Sequence, residues 1–99
     1  MKPYYVYLLR CGDGSLYAGI TTDPDRRLRQ HQGLCPGGAK YTALRGAEGF
    51  AALWSASDRA AASRLEYRLK KLSRAQKLLW IGGEADEALR TEGFLRQTI

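Results

Sequence analysis

Apolar and aromatic residues run almost unbroken from Tyr4 to Leu9 and return from Leu16 to Ile20, with Arg10-Cys11-Gly12-Asp13-Gly14-Ser15 between them. That hexad, with its Asp-Gly step, is turn-forming, so residues 3 to 21 are predicted to be a β-hairpin. Side chains alternate along a strand, which puts Tyr5, Tyr7 and Leu9 on one face and Tyr4, Val6 and Leu8 on the other. In the second strand Tyr17 and Gly19 share a face, opposite Leu16 and Ala18. Phenol groups therefore meet across the hairpin, beside a glycine that leaves open space next to them. Taken alone, such a cluster reads as core packing as readily as chemistry.

The pattern then changes period. Asp23-Pro24 is a helix start, an N-cap followed by a proline at the first helical position, where its missing N–H is not needed. The helix predicted from Pro24 to Gln32 stops at Gly33 and offers only Leu28 for packing. Arg27 and His31, four apart, lie on one face of it. His31 at this end has a plain reading as a surface residue that favours the helix C-terminus. Residues 33 to 49 hold Gly33, Pro36, Gly37, Gly38, Gly46 and Gly49 and read as a long loop, a kind of segment that is functional or disordered in compact domains. Phe50 to Ser55 reads as a third, buried strand. Ser57 or Asp58 caps a long helix to about Ser73, with Ala61, Leu65, Leu69 and Leu72 as its core stripe. A second helix spans Arg74 to Ile81 and ends at Gly82-Gly83. From Glu84 to Ile99 the chain reads as a helix followed by a loose tail, with Phe94 and Leu95 packing back.

Composition narrows the classes. Ninety-nine residues, 44% of them hydrophobic, suffice for one modest core and a single domain spanning 1–99. A formal net charge of +6 favours a polyanionic partner, nucleic acid or an anionic membrane surface. No apolar run approaches the roughly 18 residues of a membrane helix, and Met1-Lys2-Pro3 leads into a strand, not a signal-peptide core. Cys11 and Cys35 lack the spacing of a zinc site or a disulfide framework, so a reducing cytoplasm is the expected location.

The basic charge is concentrated. Arg59, Arg64, Arg68, Lys70, Lys71, Arg74 and Lys77 precede Gly83 with a single acid among them, Glu66. Glu66 lies about 100° around the helix from Leu65 and so borders the core stripe. It can pair with Lys70 at i,i+4, or project as a ligand for a divalent cation, since Mg²⁺ on nucleic-acid phosphates is held through one or two carboxylates and keeps several waters. Hydrolysis of a phosphodiester needs an activated water, neutralisation of charge on the phosphoryl oxygens and stabilisation of the leaving oxygen. Arg27 could supply the phosphate fork, Glu66 the metal site, and a phenolate the base. A tyrosine base, ordinarily near pKa 10, would have to be depressed by cationic neighbours.

Tyr5-Val6-Tyr7, then Tyr17-Ala18-Gly19, Arg27, His31 and the distant Glu66 together resemble the signature of the GIY-YIG nucleases. The likeness extends through Gly37-Gly38-Ala39-Lys40-Tyr41 and Leu65-Glu66-Tyr67-Arg68-Leu69-Lys70. It is nearest to the short single-domain bacterial members, and next to the catalytic domains of structure-specific nucleases. The resemblance implies a small α/β (α+β) domain with a three-stranded, mainly antiparallel sheet flanked by helices. It also implies Mg²⁺- or Mn²⁺-dependent cleavage of DNA by a single-metal mechanism. Under it, Tyr7 or Tyr17 is the general base, Tyr7 being favoured. Arg27 stabilises the phosphate, His31 assists the base, Glu66 holds the metal, and Gly19 keeps the sheet surface open. Lys40 and Tyr41 become substrate-side residues. Independently of the resemblance, Lys40 and Arg45 make the 33–49 loop positive and Tyr41 gives it an aromatic able to stack on a base, so Arg45 is a further substrate-binding candidate.

The chain departs from the pattern at Tyr5, where the family name has Gly, at Ala18, where it has Ile, and at Ile20, where some repair nucleases carry lysine. It also contains no asparagine to match that of some homing members. With the catalytic fold using nearly all the chain, cutting is expected to be structure-directed or nonspecific, in DNA repair or recombination, with a protein partner or a second copy. RNA stays open as a substrate. The alternative is a noncatalytic nucleic-acid-binding module that keeps the fold.

Overall fold

The structure, a computed structural model, describes residues 3–38, 42 and 45–99. Its sheet has the order β2-β1-β3-β4, with β1 at Tyr4–Cys11, β2 at Leu16–Thr21, β3 at Ala47–Ala56 and β4 at Leu95–Arg96. All neighbouring strands are antiparallel. In the hairpin Tyr7 stands opposite Gly19 and Leu9 opposite Tyr17. Gly14, at φ +83°, supplies the left-handed residue that the tight turn needs, and Asp13 accepts from the Ser15 amide and hydroxyl.

Alternation along β1 sorts two apolar layers. Val6, Leu8 and Ala18 face one way with Ala52, Trp54, Leu65, Leu69, Leu89 and Phe94. Tyr7, Leu9, Cys11 and Leu53 face the other, with Tyr5, Tyr17, Leu28 and Phe50 against them. The larger layer is covered by α2 (Arg59–Lys71), whose Ala61, Ala62, Leu65 and Leu69 are buried as the periodicity requires. Helices α3 (Arg74–Ile81) and α4 (Asp86–Thr91) complete that side. Deleting a fully buried leucine such as Leu65 or Leu69 would cost about 2–5 kcal/mol. The smaller layer is covered by α1 (Pro24–His31), through Leu28 and His31.

The helix starts are where the sequence places them. Asp23 caps α1 by accepting from the Arg26 amide, Asp58 caps α2 by accepting from Ala61, and Ser73 forms a reciprocal capping box with Gln76. Among the described residues no helix is long and apolar enough to cross a membrane.

Four sequence expectations need correction. The third strand begins at Ala47, not Phe50, because it pairs with β1 down to Cys11. The tail is not loose, and the sheet gains a fourth strand where three were expected. Arg96 donates to the carbonyls of Trp80 and Ile81, pairs with Asp86 and stacks 5.3 Å from the Trp54 ring, holding Leu95–Arg96 beside Trp54 and Ser55. Phe94 is buried as expected, but Leu95 is 51% exposed, since strand alternation turns it outward once Phe94 points in.

Candidate active site

The smaller layer is where the chemistry-bearing residues meet. Tyr7 projects from the middle of β1, is 1% exposed, and lies across Gly19 of the edge strand β2. A Cβ at position 19 would overlap the Tyr7 hydroxyl and come within 2.5 Å of its Cζ. The glycine therefore does not leave open space, as the sequence suggested. Its missing side chain is the bed in which the phenol rests.

Helix α1 delivers Arg27 and His31 from one face onto that phenol. His31 is 3% exposed, which excludes the surface-capping reading, and its Nε2 is 2.8 Å from Tyr7 Oη. Its Nδ1 is 2.9 Å from the hydroxyl oxygen of the buried Thr42. Arg27 Nε donates to Tyr7 Oη over 3.4 Å, while its Nη1 donates to Gln30 Oε1 at 3.0 Å and to the Gly37 carbonyl at 2.8 Å. Among the described residues Arg27 Nη2 donates to no partner, so one arm of the fork is available to an anion. The ring of Tyr17 meets His31 edge-on at 5.5 Å, and Phe50 packs 5.0 Å from the Tyr7 ring.

The electrostatics fix where protons reside. Burial lowers His31 from 6.5 to about 4, with the Arg27 charge adding to the effect. Burial also raises Tyr7 above its ordinary value of 10, against the hydrogen bond and charge of Arg27. The depressed tyrosine that the sequence reading required is thus not found, because desolvation of a buried phenol outweighs one cation. The pair is neutral. With Arg27 donating to the phenol oxygen, the network closes when Tyr7 donates to His31 Nε2 and His31 Nδ1–H donates to Thr42.

Glu66 approaches from α2, which packs against β1 and β2 from the opposite layer. It is half-buried, and its charge is among those that raise Tyr7. Its carboxylate also lies 3.5 Å from Lys70 Nζ, so the structural pairing coexists with an electrostatic influence on Tyr7, the smallest of those acting on it. Among the described residues no cluster of three His, Cys, Asp or Glu could hold a metal. One carboxylate does not make a zinc site, but it fits a hard divalent cation whose shell is completed by water and substrate phosphate.

Of the outlying candidates, Arg45 is placed at the hairpin turn, its Nε 3.1 Å from Asp13 and its carbonyl accepting from the Gly12 amide. Four residues of β1 separate that end of the strand from Tyr7, about 13 Å. Lys40 and Tyr41 fall outside the described residues. Sequence reasoning missed Thr42 and Phe50. The motif stretch Gly37 to Tyr41 ends one residue short of Thr42, and nothing in the spacing pairs a threonine with a histidine eleven positions earlier.

Depression of His31 gives this site a pH signature. Between about pH 4 and 6.5 the unfolded chain binds a proton at His31 that the native protein does not, so stability rises with pH across that window and is complete above it. Urea unfolding should show about 1–2 kcal/mol less stability at pH 5 than at pH 7 from this residue. His31→Gln should remove that part of the pH dependence. An identical pH 5 to 7 difference in the variant would mean that His31 titrates normally.

A GIY-YIG catalytic domain profile matches residues 3–78 of the chain. A UPF0213 protein of Vibrio cholerae is 48% identical over 87 residues, covering 85% of this chain and 82% of its own. The UPF0213 protein YhbQ of Salmonella typhimurium is 49% identical over 90 residues, covering 90% and 88%. Among solved structures, the solution NMR structure of the UPF0213 protein BH0048 from Bacillus halodurans superposes with a TM-score of 0.52 at 44% identity, over 81% of this chain and 83% of that one.

Proposed function

The chain belongs to the GIY-YIG catalytic domain family, and on that footing we propose that it is a divalent-metal-dependent endonuclease hydrolysing DNA phosphodiester bonds, structure-directed or nonspecific, with a role in DNA repair. The observation that carries this reading is the buried contact of Tyr7 Oη with His31 Nε2 at 2.8 Å, flanked by the Arg27 guanidinium and within the field of Glu66. A core aromatic needs no such neighbours.

In this reading Arg27 binds the scissile phosphate through its remaining arm. The phosphate charge then offsets the guanidinium, the smaller of the two causes that depress His31, and the imidazole regains that part of its basicity while burial still lowers it. The attacking water gives a proton to Tyr7 Oη as the phenol proton passes to His31 Nε2, and the resulting hydroxide oxygen bonds to phosphorus while the bond to the leaving oxygen breaks. Tyr7 serves better than Tyr17 because its own oxygen touches the imidazole. Thr42 keeps the Nδ1–H tautomer, so that Nε2 presents its lone pair. Glu66 would hold one Mg²⁺ or Mn²⁺, which when bound would neutralise charge on the leaving oxygen. Lys40, Tyr41 and Arg45 are proposed substrate contacts, and Gly19 acts by seating Tyr7. Duplex, single-stranded, flap and branched DNA, with an RNA control, should be incubated with Mg²⁺ or Mn²⁺ and separately with EDTA. Cleavage of at least one DNA that EDTA stops is expected. Salt-sensitive binding with no cleavage under any condition would instead identify a noncatalytic binding module.

A further inference from the structure

We propose that the crest of α2 is a base-stacking platform, Tyr67 flanked by Arg64 and Lys71, that holds an unpaired base of the strand engaged at the Glu66 site. This rests on the nucleic-acid reading above and names what part of the substrate the protein grips.

The core stripe of α2 is Ala61, Ala62, Leu65 and Leu69. Tyr67 lies about 180° from the middle of that stripe and about 100° around the helix from Glu66. It is 63% exposed, so its ring contributes little to the core. The Lys71 ammonium, one turn on, sits 5.1 Å from the ring centroid, and Arg64, three residues earlier, is exposed on the same crest. An exposed cation–π contact is too weak to account for a bare aromatic here. Moving from Glu66 around the helix, one meets Lys70, then Tyr67, then Lys71 and Arg64, cations alternating with one aromatic face. That alternation matches a nucleic-acid strand, whose phosphates and bases also alternate.

Geometry selects the occupant. The surface is convex and offers one ring face, whereas a docked peptide helix needs a groove. A base has its π-face free only when it is unpaired or at a strand end, so a perfect duplex would meet the lysines but not the ring. The platform therefore favours DNA with a short single-stranded segment beside the bond to be cut.

The test is equilibrium binding in EDTA, where nothing is cut, at one fixed salt concentration, by anisotropy of a duplex with a short overhang and of the matched blunt duplex. Tyr67→Ala should weaken overhang binding about 5- to 150-fold and leave blunt-duplex binding unchanged, with Tyr67→Phe and Tyr67→Trp retaining the wild-type preference. Equal affinity of Tyr67→Ala and wild type for the overhang would overturn the platform. So would a matched loss on both DNAs, which would indicate a general charge or folding effect, or tighter binding to anionic vesicles than to either DNA. Cleavage with Mn²⁺ is measured separately on the same variants. Absent cleavage with an intact Tyr67 effect sinks the nuclease reading alone, and intact cleavage with no Tyr67 effect sinks the platform alone.

Discussion

Glu66→Gln should leave a folded protein that binds DNA and does not cut it. The substitution keeps the shape of the side chain and removes the carboxylate proposed to hold the metal. Among the described residues its ion pair, with Lys70 at 3.5 Å, involves a partly exposed carboxylate and a lysine more than half exposed, and such pairs are worth about 1 kcal/mol or less. Stability should therefore be unchanged within that range. The seven cations from Arg59 to Lys77 remain, so DNA affinity in EDTA should be equal or slightly higher. Loss of the metal position should lower the rate by about 10²- to 10³-fold or more, the scale seen when one transition-state stabilising group is deleted. Rates of Mn²⁺-supported cleavage for wild type and variant, beside their melting curves, check this. A variant that cuts at the wild-type rate would remove Glu66 from the site. Arg27→Ala should also stop cleavage but is the less clean experiment. Arg27 ties α1 to the following loop through the Gly37 carbonyl and steadies Gln30, so its loss disturbs structure as well as charge.

What could be read in the chain beforehand follows from the range of each interaction. Strand alternation, proline at a helix start and the Asp23 and Asp58 caps act within four residues, and the two faces of β1 and the starts of α1 and α2 follow from them, whereas the sequence reading does not single out the Ser73 cap of α3. The partnership of Tyr7, Arg27 and His31 was legible as a resemblance, because the order of a motif survives where its geometry is hidden. The rest depended on burial or on distant pairing. His31 could not be known to be buried until β1 and α1 were packed together, and the directions of the Tyr7 and His31 shifts follow from that burial. Strand β4 is two residues long and is held by Arg96 through groups ten to forty-two positions away, so no local pattern announces it. Thr42 contacts His31 from a position eleven residues further along the chain, and the Gly38 backbone lies so close to the Gln30 carbonyl that a Cβ would not fit.

Gly19→Ala should damage the protein more than any exposed substitution near the site. The added methyl overlaps the Tyr7 hydroxyl and lies within 2.5 Å of Cζ and 3.0 Å of Cε1, all parts of one rigid ring. The ring has no easy escape. Phe50 lies 5.0 Å from it, His31 holds its oxygen, and the residue is 1% exposed. Overpacking of this kind costs about 1–3 kcal/mol, a fall in melting temperature of roughly 5 to 20 °C for a domain of this size. Since relief requires Tyr7 to leave His31, cleavage should fall with stability. Tyr7→Phe removes the overlapped oxygen but keeps the ring, so it should restore part of the lost stability in the Gly19→Ala background and none of the activity. A double-mutant cycle on urea unfolding measures that coupling directly. Strict additivity of the two changes would show that Gly19 and the phenol do not share the space, and that the tyrosine is seated by something other than the missing side chain.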